Sequence, residues 1–101
     1  MTVIHQPRVA WDGARAFVRA AGSPYYEGFA NRVLRDLGRQ TYGDFADTRH
    51  RLLTAFVETG GDRFAADVEA GKWRVRLEDL LRERPEMAGP VLELIAAYGD
   101  L

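Results

Sequence analysis

The stretch Ser23-Pro24-Tyr25-Tyr26-Glu27-Gly28-Phe29-Ala30-Asn31-Arg32-Val33-Leu34-Arg35-Asp36-Leu37-Gly38 decides the fold class. Ser23 supplies a side-chain acceptor at an N-cap, and Pro24 presets φ at the first helical position. Tyr26, Phe29, Ala30, Val33, Leu34 and Leu37 then recur at the intervals of one helical face, with Arg32, Arg35 and Asp36 on the other side. Gly38 is the stop. The spacing therefore predicts an amphipathic helix, and a helix with so continuous an apolar stripe needs other elements to cover it.

Working outward, the same periodicity recurs on both sides. Trp11, Ala14, Phe17, Val18 and Ala21 predict a helix closed by Gly22. Ahead of it, Thr2-Val3-Ile4 is a short β-branched run, but Pro7 follows and no partner strand is visible, so residues 1–9 are read as an extended arm. After Gly38, residues 39–43 are read as a linker. Asp44 caps a third helix to about Thr59, with Phe45, Leu52, Leu53, Phe56 and Val57 inward; Thr48 and Arg49 interrupt the first turns of that stripe. Gly60-Gly61 ends it. Asp62 caps a short fourth helix, with Phe64, Ala65 and Val68 inward and Gly71 as its stop, and a fifth carries Trp73, Leu77, Leu80 and Leu81 as far as Arg84-Pro85. The last segment, from Met87 to Tyr98, is apolar over most of its circumference, with Gly89-Pro90 either kinking it or marking its start. It is expected to be the most buried helix or an interface. The fold expected is all-α: residues 1–101 as one domain, a compact bundle of five to six short helices behind an extended N-terminal arm.

Composition agrees. With 101 residues, 47% hydrophobic and 29% charged, the chain can bury one core, and its formal charge of −1 argues against binding driven mainly by neutralising phosphates. The absence of cysteine removes disulfides, thiolate nucleophiles and zinc sites built on sulfur. No apolar run is long enough to span a bilayer and the first residues lack the pattern of a signal peptide, which leads to the expectation of a cytoplasmic protein without membrane partners. Lys72 is the single lysine among the cationic residues, an arginine bias consistent with a GC-rich bacterial genome.

Tests for site chemistry come out mostly negative. Asp44, Asp47 and His50 stand at i, i+3 and i+6, but that row drifts by about 60° around the helix, and Asp44 is better used as a cap, so no metal ligand is assigned. Ser23 lacks the flanking glycines of a nucleophile elbow, and Lys72 lacks the glycine spacing of a phosphate loop. Neither catalytic residues nor a cofactor are expected. A helix-turn-helix between the second and third helices is disfavoured by the long linker and by Asp44 and Asp47 at the start of the would-be reading helix. Arg32, Arg35, Arg39, Arg49 and Arg51 remain the candidate nucleic-acid face for the second choice, a small regulator.

The run from Phe64 to Trp73, followed by Leu77-Glu78-Asp79-Leu80-Leu81-Arg82-Glu83-Arg84-Pro85-Glu86-Met87-Ala88, resembles the tails of small helical modules in GC-rich bacteria, where an Ala-rich helix, a Leu-Leu pair and a Pro-Glu start follow in order. The whole resembles the effector-associated and death-like adaptor domains of bacterial conflict systems. That resemblance implies a non-catalytic module joining proteins through helical contacts. The leading expectation is accordingly a protein-protein interaction domain, either an adaptor of a defence system or a small inhibitor or antitoxin-like binder, whose partner is another protein or a second copy. The contact residues expected are Trp73, Val75, Leu94 and Tyr98.

Overall fold

Pro7 starts the first helix rather than ending an arm. In the computed structural model, which describes residues 5–61 and 63–99, α1 spans Gln6–Ala21 with Pro7 in its opening turn, where a missing N–H has no intrahelical acceptor to lose. The arm expected over residues 1–9 is thus corrected from Gln6 onward, and Thr2-Val3-Ile4 lies outside the described residues. Val9 and Ala10 explain the longer helix. They extend the buried stripe of Ala14, Phe17 and Ala21 by a full turn, whereas Trp11 lies outside it and is exposed.

Four further α-helices complete the described chain: α2 (Tyr26–Leu37), α3 (Arg39–Thr59), α4 (Phe64–Glu83) and α5 (Ala88–Tyr98), with a 3-10 turn at Pro85–Met87 before the last. No strand occurs among the described residues, and the chain is a small all-α bundle. Ser23 does not cap α2, which begins beyond it. Its Oγ instead accepts from the Tyr25 N–H and donates to the Ala20 carbonyl, closing the corner after α1. The expected linker 39–43 is helical. One glycine makes the whole turn: Gly38 has φ 97°, a conformation costly for any residue with a Cβ, and α3 starts at the next residue. Asp44 is consequently inside a helix and not at its cap.

Gly71 does not divide residues 64–83 into two helices. A mid-helix glycine costs about 1 kcal/mol, but Glu69, Trp73, Leu77 and Leu81 form a buried row at four-residue spacing that passes straight across it. Each fully buried leucine contributes about 1.5–3 kcal/mol, so continuity wins. Gly89-Pro90 lies in the first turn of α5, where proline is tolerated, and marks a start rather than a kink.

The core gathers on α1. Its inward face is made of small residues around Phe17, which lets α4 and α5 approach closely. Phe17 stacks on Trp73 with ring centroids 4.4 Å apart and meets Phe29 and Phe45 edge-on at 4.9 and 5.5 Å. Tyr26 stacks on Phe45, and Tyr98 closes the far side against Phe29. Polar and charged side chains fasten the ends of α1: Gln6 donates to the Leu81 carbonyl, Arg19 to the Gly99 carbonyl at the α5 end, and Arg49 of α3 to the Ala21 and Ser23 carbonyls. Arg49 thereby supplies the orphan acceptors of the α1 C-terminus with a cation, which the helix dipole also favours.

Candidate interaction surface

α3 and α4 are clamped at mid-length by a polar cluster built on Thr48, one of the residues that interrupt the apolar stripe in the sequence. The Trp73 indole N–H donates to Thr48 Oγ1 at 2.8 Å, and that hydroxyl donates to the Asp44 carbonyl one turn back. Beside it Arg51 donates through Nε and Nη2 to Glu69 Oε1 at 3.0 and 2.7 Å, while Lys72 reaches Oε2 at 3.2 Å. Burial pushes the Glu69 carboxyl up, but the hydrogen bonds and charges of Arg51 and Lys72 outweigh it and hold the group below its ordinary value. Glu69 therefore stabilises the fold fully above an unfolded-state pKa near 4.5, and the contribution disappears as pH falls below that toward the folded-state value. Because both partners are more than a third exposed, Glu69→Gln should cost only about 1–2 kcal/mol near neutral pH. Thermal unfolding midpoints of wild type and variant should converge as the pH falls below about 4.5; a gap that stays constant with pH would mean that the charged pair does not contribute.

Beyond this clamp the hairpin runs past the body of the bundle. Among the described residues between Thr48 and Glu69 none is buried. α1 ends at Ala21, and only its last residues approach the last turns of α3 and the first of α4, leaving Ala55, Ala65 and Ala66 half-buried and their larger neighbours exposed. Gly60 in the left-handed region and Gly61 at φ 110° make the turn at the far end. Around it Val57 is 82% exposed, Phe64 70%, Phe56 63%, Leu53 47% and Val68 38%. The inward orientation expected for these five is overturned, and the reason is coverage rather than periodicity. Next to them lies a groove of about 360 Å³, lined by small and apolar residues that include Val18, Gly22, Leu52, Ala55, Ala65 and Ala66, with Arg19 and Arg63 also on its wall.

The contact residues expected from sequence are scattered. Trp73 and Leu94 are core residues, enclosed by the aromatic cluster and by the packing of α5, and present no surface to a partner. This is a correction. Of α5, expected to be either the most buried helix or an interface, Ala88, Val91 and Leu94 are buried, leaving Leu92 as its exposed large residue. Tyr98 is half-buried, seated over Gly28 with its ring against Phe29 and beneath the Arg32 guanidinium. Only Val75 is exposed as expected, and it stands on α4 away from the tip.

The five arginines of the second choice are largely engaged within the fold. Arg49 caps α1 and lies 4.4 Å over the Tyr26 ring, Arg51 holds Glu69, Arg32 covers Tyr98 and Arg35 grips Asp36 with two bonds of 2.9 Å, while Arg39 is exposed at the start of α3. Asp44, Asp47 and His50 do not converge: no group of three His, Asp or Glu among the described residues is arranged to hold a metal ion. No described helix is long and apolar enough to cross a membrane. The chain matches no protein-family model, no curated protein and no solved structure.

Proposed function

We propose that the chain is a non-catalytic protein-interaction module, an adaptor or a small inhibitor-like binder, and that it acts by docking the α3–α4 tip onto another protein surface. One observation carries this reading: five large exposed apolar side chains and an adjoining groove lie together at the end of the hairpin, where no described residue between Thr48 and Glu69 is buried. Their exposed area is on the order of 500 Å², in the range at which an apolar patch on a small protein marks a contact site. The resemblance to conflict-system adaptors fits the same class of activity and would place the contact on a helical face.

A photo-crosslinking residue introduced at Val57 tests this in the native cell, with Val75 as the control position on the same hairpin. The expected result is a discrete protein adduct from Val57 that Phe56→Ser abolishes. Adducts from Val75 alone, or none from either site, would overturn the assignment of the tip.

A further inference from the structure

We infer that the occupant of the tip is a second copy of the same chain, joined about a two-fold axis; this rests on the tip being the interaction surface. The surface of the tip is complementary to itself. The hairpin carries a projection and a recess side by side: Phe64 is 70% exposed, and the groove, with Phe56 on its wall, is lined by the small residues Gly22, Ala55, Ala65 and Ala66, which leave room for a ring. When two such hairpins meet antiparallel, the projection of each faces the recess of the other and every contact is made twice, which closes the assembly at two.

Charge and area agree with that occupant. Glu58 lies beside Leu53 and Val57, whereas Arg19 and Arg63 belong to the groove wall, so the two-fold operation brings opposite charges together. Arg19, Arg51 and Arg63, set against Glu58, Asp67 and Glu69, leave the described tip without a basic excess that would select an anionic membrane or a nucleic acid. Two patches of roughly 500 Å² reach the ~1,000 Å² that a specific interface requires before the polar rim is counted. An interface at that lower bound holds at micromolar rather than nanomolar concentration.

Sedimentation of the full chain across about 1 μM to 1 mM reads the outcome directly. The expected result is a mass that rises from 11.4 kDa toward twice that value, and a dissociation constant raised at least about tenfold by Val57→Asp and separately by Phe64→Asp, with unchanged helical circular dichroism. Both side chains are mostly exposed, so neither substitution disturbs the core. A wild type that stays monomeric throughout overturns the dimer, as does a dimer indifferent to both substitutions. If the monomer nevertheless yields a Val57 adduct with a different polypeptide, the interaction reading survives and only self-pairing falls; if it yields none, both fall.

Discussion

Replacing Trp73 with alanine is expected to lower the unfolding free energy by about 3–5 kcal/mol, the cost of emptying a large aromatic site in a packed core. Such a loss is a fifth or more of the stability of a typical domain, about 5–15 kcal/mol. The position justifies the upper part of that range. Trp73 stacks on Phe17, meets Phe45 edge-on at 6.3 Å and donates its N–H to Thr48 at 2.8 Å, so truncation removes ring packing and one side of the α3–α4 clamp together. Trp73→Phe should keep most of the packing and cost about 1 kcal/mol for the hydrogen bond, since Thr48 Oγ1 still donates to the Asp44 carbonyl. Urea midpoints followed by circular dichroism separate the two. An alanine variant within 1 kcal/mol of wild type would mean that the core is not organised around this ring.

Gly13→Val is the second large effect, with an expected cost of about 2–3 kcal/mol from overpacking. A Cβ at Gly13 would lie 2.8 Å from Leu77 Cδ1 and 3.1 Å from Val91 Cγ1, at the junction where α1 receives both α4 and α5. Leu77 and Val91 are themselves buried, so neither can swing aside freely. Gly43 and Gly71 are also inside helices but have open space where a Cβ would stand. Alanine at either should therefore stabilise the fold by about 0.5–1 kcal/mol through helix propensity. Thermal or urea denaturation of the three variants checks the contrast, and a Gly13→Val protein as stable as wild type would contradict the close packing of α1.

These glycines show how far a linear reading reaches. Gly38 and Gly60-Gly61 end helices as their sequence context predicts, because each stands where the apolar stripe also breaks. Gly71 looks the same in the chain. It fails to end a helix because the row from Glu69 to Leu81 continues in register on either side, and burial of that row exceeds the local cost. Glu69 itself carried no signal, since a carboxylate at four-residue spacing from a tryptophan reads as an interruption until Arg51 and Lys72 are seen to meet it.

The candidate site was half legible. Leu53, Phe56, Val57, Phe64 and Val68 were all readable as apolar residues at helical spacing, but as an inward face; the pattern in α5 was readable as either core or interface, and its row of Ala88, Val91 and Leu94 is buried. Helical character, the sharpest turns and the membership of the apolar stripes are legible along the chain, because capping, glycine conformation and periodicity act over a few neighbouring residues. Which stripes are covered is set by the packing of the helices. Burial depends on where the other helices end, and here α1 stops at Ala21 while α3 and α4 continue, which leaves their tip as the apolar surface.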